Sequence, residues 1–153
     1  MTMAERLLWL AQETARMGAH SLTLKRRAVS DAYYAVFHAI TAACASELLP
    51  NEKPQKSTNY ERVYRALEHS SLKNEFNRPP LRDYKRLREL GVMVTDLQRE
   101  RHNADYLPTR SLYSIQSCNG HINSARTAME LIRTLNAEER KVLAVSLLFK
   151  NRP

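Results

Sequence analysis

The chain has 153 residues, 43% of them hydrophobic and 26% charged, with a formal net charge of +8 at pH 7. That length holds one domain, residues 1–153, with a usable core, and 3 glycines against 6 prolines argue for long helices over a turn-rich β fold. The basic balance admits an anionic partner such as nucleic acid, while Cys44 and Cys118 lack partners at metal spacing. That speaks against a zinc site or a disulfide scaffold and fits a reduced, cytoplasmic setting.

Thr2 to about Ala19 reads as a first helix, with Leu7, Leu8, Ala11 and Ala15 on one side. Trp9 and Leu10 fall off that stripe, so either the apolar face is broad or Trp9 meets a partner. The short run Leu7 to Ala11 follows Glu5 and Arg6 and does not make a signal peptide. Ser21 is placed to cap a second helix reaching about Leu49, before Pro50. Its core stripe is Val29, Ala32, Val36, Ala39 or Ile40, and Ala43, small enough to let a neighbouring helix approach. A second stripe runs beside it: Arg27, Asp31, Tyr34, His38 and Thr41. Aligned polar groups are usually a solvated face with an i,i+4 ion pair, yet Tyr33-Tyr34-Ala35-Val36-Phe37-His38 is too aromatic for a plain wet face. The nearly uncharged run Ala32 to Ser46 is too short to span a bilayer, so no membrane is expected.

Pro50 to Thr58 reads as a polar loop, Asn59 to His69 as a shorter helix, and Ser70 to Arg78 as an irregular segment. Pro79-Pro80 is expected to open the next long helix, with Leu81, Tyr84, Leu87, Leu90, Val94, Leu97, Arg101 and Ala104 facing the core. Gly91 in mid-helix costs about 1 kcal/mol against alanine and marks a kink or a close helix contact. Arg78, Arg82, Lys85, Arg86 and Arg88 make the start of this helix basic. Arg82, Lys85 and Arg86 are therefore candidates for phosphate contact, against the alternative of a solvated charged face.

The helix ends in Arg101-His102-Asn103-Ala104-Asp105-Tyr106, ahead of Pro108. Arg101 occupies a core-facing position, where it must pair with an acid, snorkel or serve a site. Asp105 stands four residues on, in a last turn whose dipole disfavours an acid. Two such conflicts side by side mark a functional or strained locus. Beyond a loop from Leu107 to Ser111, Leu112 to Leu135 reads as a helix. Ile115, Cys118, Ile122, Ala125, Met129 and Ile132 form its seam, which suits antiparallel packing on the preceding helix. Asn136 and Glu139 open a final helix to about Lys150 in the manner of a capping box. Val142 to Phe149 leave that helix apolar nearly all round, which implies deep burial or an oligomer contact. The expected fold is therefore all-α: an antiparallel helical bundle of four to five main helices with a short C-terminal helix.

Two stretches together resemble one family. Asp31-Ala32-Tyr33-Tyr34-Ala35-Val36-Phe37-His38-Ala39 resembles the S-x-A-Y-Y-A-x-F-H-A helix of the HEPN superfamily. Arg101-His102-Asn103-Ala104-Asp105-Tyr106 resembles the R-x-x-A-D-Y signature of HEPN-like proteins often paired with minimal nucleotidyltransferases. The two motifs come in the family's order, and the resemblance covers about residues 21–135. It implies a HEPN-like bundle, frequently a homodimer, with RNA or a nucleotide as ligand and a nucleotidyltransferase or antitoxin as partner protein. Many members are metal-independent ribonucleases of toxin–antitoxin, CRISPR or antiphage systems; others bind RNA or nucleotides, or are inactive partners. No cofactor and no metal is implied.

Active members are similar in carrying Arg and, four to six residues later, His on the late helix. This chain departs from that pattern, because Asp105 and Tyr106 stand where the histidine is expected. Arg62 and His69 match the bare spacing but lie on another segment, and a motif this short matches by chance. Three expectations follow. In the first, Arg101, Asp105, Tyr106, Tyr34 and His38 form an anion or RNA site without cleavage. In the second, the chain is a ribonuclease in which His38 or His102 serves beside Arg101. In the third, Arg101 and Asp105 are a buried pair that sets the register of a protein–protein interaction module.

Overall fold

The computed structural model describes residues 1–54, 56–108 and 114–150. Among these, seven α-helices and no strand occur: α1 (Met3–Met17), α2 (Leu22–Leu48), α3 (Thr58–Tyr64), α4 (His69–Phe76), α5 (Lys85–Tyr106), α6 (Ile115–Arg133) and α7 (Ala137–Leu148). The all-α bundle expected from composition is what forms. No helix among the described residues is long and apolar enough to cross a membrane.

Helix α2 is the axis of the bundle, packed by α1, α3, α5, α6 and α7. Its small residues explain this crowding. Ala28, Ala32, Ala35 and Ala45 are fully buried and let neighbours approach from several sides, while Val29, Val36 and Ile40 fill the space between. Side-chain contacts fix the directions. Arg26 of α2 bonds the carbonyls of Ala104 and Leu107 at the end of α5, while Tyr33 and Tyr34, further along α2, meet Arg101 one turn earlier in α5. The two helices therefore run antiparallel. Helix α6 is antiparallel to α5 in turn: His121 pairs with Glu100 near one end, and Thr134 accepts from Arg86 at the other. The α6 seam buries Cys118, Ile122, Ala125 and Ile132, with Met129 partly covered.

Local signals set the boundaries. Thr2 closes a capping box with Glu5, Ser21 caps α2 through the Leu24 amide, and Asn136 closes a second box with Glu139. Each cap satisfies amides that a helix start leaves open. Helix α7 is buried on one side only: Leu143, Ala144 and Leu147 are covered, whereas Val145 and Phe149 are exposed. The expected helix start at Leu112, and most of the loop before it, lie outside the described residues; the described helix opens at Ile115 behind a Ser114 cap.

Three expectations fail. The helix expected over Asn59 to His69 stops at Tyr64, and the segment expected to be irregular contains α4. The reason is tertiary. Leu72 and Phe76, one turn apart, are buried, and Phe76 seats directly on Gly91 of α5. The next helix does not open at Pro79-Pro80. A 3-10 turn at Leu81–Asp83 comes first, Tyr84 is extended, and α5 starts at Lys85. Leu81 and Leu87 are both fully buried, yet six residues along an α-helix would place them about 120° apart. The tighter turn and the extended residue bring both to one side.

Candidate functional site

The C-terminal turn of α5 meets the middle of α2 and the first residue of α4. Arg101 is held there with its side chain 15% accessible. Its guanidinium carbon lies 5.4 Å from the Tyr33 ring centroid, 5.8 Å from that of Tyr34 and 6.0 Å from that of Tyr106. Such placements stabilise a cation by about 0.5–2 kcal/mol each, depending on exposure. Asp105, one turn on, forms an ion pair with Arg101 at 3.6 Å, too long for a hydrogen bond. Arg101 Nε is buried and unpartnered among the described residues.

Asp105 also accepts from the Ser30 hydroxyl at 3.4 Å. Close to it is Asp31, buried on α2, which takes Arg27 at 3.1 Å on one oxygen and has no partner for the other among the described residues. Burial pushes the Asp31 carboxyl up, Arg27 draws it down, and the neighbouring Asp105 charge adds to the rise. So the stripe Arg27, Asp31, Tyr34, His38 and Thr41 is not a solvated face: Asp31 and Thr41 are buried, and only Arg27 at its start reaches far into solvent.

The sequence did not single out His69 for this place. It is the first residue of α4, and its ring stacks on Phe37 with centroids 3.7 Å apart. Its Nδ1 shares a 2.8 Å hydrogen bond with the Tyr33 hydroxyl, and its edge meets Tyr34 at 5.5 Å. Tyr33 and Tyr34 thus each touch both His69 and Arg101. Gln98 of α5 donates to the His69 carbonyl at 2.7 Å and ties α4 to the same turn of α5. Burial holds the His69 imidazole below its ordinary range, and the Arg101 charge and then His38 push in the same direction. Burial raises the Tyr33 phenol, so it stays protonated.

His38 lies next to this cluster. Its Nδ1 is hydrogen-bonded to the Tyr64 hydroxyl, and burial lowers its pKa. His102 points outward: it is exposed, and its ring contact is Tyr106, 5.1 Å away. Tyr106 is itself 62% exposed, so the site opens to solvent on that side.

Arg82, Lys85 and Arg86 are not brought to this place. Lys85 and Arg86 begin the helix that Arg101 ends, roughly 22 to 24 Å away along its axis. Arg82 lies in the 3-10 turn before it. Arg86 is a brace, pairing with buried Glu139 at 3.2 Å and donating to Thr134. Lys85 and Arg82 are exposed. The two cysteines are buried and free, and burial pushes Cys44 up to about 12 and raises Cys118, so neither is an activated thiol. Among the described residues no group of three or more His, Cys, Asp or Glu side chains is arranged to hold a metal ion.

Arg101, Tyr34, Asp105 and Tyr106 therefore lie together, with His38 at the edge. The missed members are Tyr33 and His69. Tyr33 lies in the aromatic run already singled out, whereas nothing local marks His69, because its place depends on how α4 seats on α5. Compared with known proteins, the chain matches no family profile, no curated protein and no solved structure.

Proposed function

We propose that the chain is a HEPN-like protein that binds RNA or a nucleotide at Arg101, as a component of a toxin–antitoxin or antiphage system with a nucleotidyltransferase or antitoxin partner. One observation supports this most. Arg101 is fixed among three aromatic rings while its hydrogen-bonding fork stays largely unspent, with one carboxylate at 3.6 Å and an unpartnered Nε. A residue kept only to set register would close its hydrogen bonds. A phosphate oxygen would complete the guanidinium, and exposed Tyr106 offers a face on which an unpaired base can stack.

The test is fluorescence anisotropy with a short labelled single-stranded RNA. Binding should weaken steeply between low and physiological salt. Arg101→Ala should lose it while circular dichroism retains the helical spectrum. Absence of binding by the wild type at low salt refutes the proposal, and collapse of the fold in Arg101→Ala favours the register-setting role.

His69 favours a second reading, a metal-independent ribonuclease whose histidine comes from α4. With Nδ1–H donating to Tyr33, the Nε2 lone pair would take the proton of a ribose 2′-hydroxyl. The 2′-oxygen would then bond to phosphorus as the bond to the 5′-oxygen breaks. Water would protonate that leaving oxygen, and Arg101 would offset the charge on the phosphorane. On this reading His69→Gln abolishes cleavage in the presence of a chelator but leaves RNA affinity within about twofold, since a neutral side chain is exchanged for another. Unchanged cleavage in that variant removes His69 from the chemistry.

A further inference from the structure

Helix α1 presents an apolar line that the bundle leaves uncovered. Met3, Leu10 and Met17 are 57%, 40% and 72% exposed, with Trp9 beside them at 55%. The three recur every seven residues, so each step drifts only about 20° around the helix, and they form one line about 21 Å long. The inner side of the helix is different: Ala4, Ala11 and Ala15 are buried, and α1 packs on α2 and α6. Exposed apolar side chains scattered singly need no explanation, but an aligned set on one helix marks a contact surface.

The line is symmetric about Leu10, with Met3 seven residues before it and Met17 seven after. One flank carries Arg6 and Glu13, again seven residues apart and of opposite charge. Arg6 is exposed, and among the described residues Glu13 is engaged only by Arg16, in an i,i+3 surface pair at 2.6 Å, which contributes little and can be exchanged. In an antiparallel helix pair, like flanks face each other across a two-fold axis. With that axis at Leu10, Met3 meets Met17 of the second copy and Leu10 meets its own counterpart. Arg6 then stands within one residue of Glu13 of the second copy, and the contact occurs twice. A patch complementary to itself under a two-fold rotation is what an isologous dimer requires.

We infer that the chain forms a homodimer through antiparallel pairing of α1 with α1 of a second copy, centred on Leu10 and flanked by two Arg6–Glu13 pairs. The inference does not rest on the proposed RNA site. That site lies between α2, α4 and α5, whereas the line is on α1, about 100° round the helix from its buried alanines. An acidic Glu13 on the rim also argues for a protein surface over an anionic lipid one.

Sedimentation velocity over about 1 to 200 μM, a range that brackets a micromolar Kd, should show a species of twice 17.7 kDa growing with concentration. Leu10→Glu sets two carboxylates against each other on the axis. It should leave a monomer throughout, with an unchanged circular dichroism spectrum because Leu10 is on the surface. R6E and E13R should each weaken the dimer about tenfold, since each turns two attractive pairs into two repulsive ones. An equimolar mixture of R6E and E13R should recover it as a heterodimer, because across that pair alone every flank contact is attractive again. A chain that stays monomeric at all concentrations overturns the inference, as does a dimer indifferent to Leu10→Glu and to the charge exchanges. Co-sedimentation of a monomer with anionic vesicles would assign the face to a membrane instead, and also overturns it.

Discussion

The seat of α4 on α5 passes through Gly91, which makes Gly91→Ala a sharp test of how the site is positioned. An alanine Cβ there would lie 2.9 Å from Phe76 Cβ, with ring atoms of Phe76 at 3.0 and 3.1 Å. Carbon atoms rest at roughly 3.5–4.0 Å, so the overlap exceeds half an ångström. Phe76 is buried, and its Cβ is bound to the α4 backbone, so a rotamer change cannot relieve the closest contact; α4 itself must move. Helix propensity favours the substitution by about 1 kcal/mol, while overpacking a tight contact costs about 1–3 kcal/mol. The expected result is a net loss of up to about 2 kcal/mol, which for a chain of this size lowers Tm by about 2–4 °C per kcal/mol. Urea and thermal denaturation measure it. The ring resonances of His69, at the other end of α4, should shift in the same variant. A stability gain of about 1 kcal/mol with an unmoved His69 would show that helix propensity decides and that α4 is not seated as argued.

Three further expectations concern the same region. The His69 imidazole should titrate below 6.5 by NMR, and Arg101→Met should move it upward by removing a neighbouring positive charge. The unfolded chain takes up that proton first, so the His69 contribution to stability is complete above pH 6.5, falls as pH drops towards the folded-state value, and levels off beneath it. A His69 titration that Arg101→Met leaves unmoved contradicts the electrostatic contact. Tyr33→Phe deletes the hydroxyl bonded to His69 and should cost about 0.5–1.5 kcal/mol in urea unfolding; a neutral result would mean that water replaces it fully. Arg26→Met removes the donors that hold the Ala104, Leu107 and Pro108 carbonyls. It should destabilise by about 1–3 kcal/mol and speed amide exchange selectively in the last turn of α5. Uniform exchange rates there would show that the turn does not depend on Arg26.

Whatever repeats at helical spacing was legible in the sequence. The α6 seam, the small-residue stripe of α2 and the capping residues Ser21 and Asn136 all act locally, so each specifies its element without help from distant chain. Elements held by tertiary contact were not legible. Helix α4 has eight residues, too few to be stable alone, and exists because Leu72 and Phe76 find the Gly91 groove. The spacing of Leu81, Tyr84 and Leu87 looks helical, yet steps of three drift about 60° per step on an α-helix, and the 3-10 turn at Leu81–Asp83 with the extended Tyr84 absorbs that drift. The charged start of α5 shows the opposite failure. Its basic residues are real, but Arg86 is consumed by Glu139 and Thr134, and no one-dimensional pattern reveals a partner 53 residues away.

The site divides along the same line. Arg101, Asp105 and Tyr34 were legible because each breaks a local rule: a cation on an apolar seam, an acid at a helix C-terminus, an aromatic in a polar stripe. His69 breaks none. The absence of a histidine after Arg101 argues against cleavage on the assumption, natural to the one-helix motif but not to the His38 alternative, that one helix must supply both groups. A helical bundle relaxes that assumption, because antiparallel neighbours bring distant residues to one level. Here the Tyr33 and Tyr34 rings bridge Arg101 of α5 and His69 of α4. The geometric requirement is then carried by the α4–α5 seat and not by sequence spacing. It follows that Gly91, remote from any ligand, should govern whatever His69 does beside Arg101. Under the proposed function, a bulkier residue there should disturb His69-dependent cleavage before it disturbs RNA binding at Arg101. Equal losses of both in Gly91→Ala would instead mean that the two side chains move as one rigid unit with the end of α5.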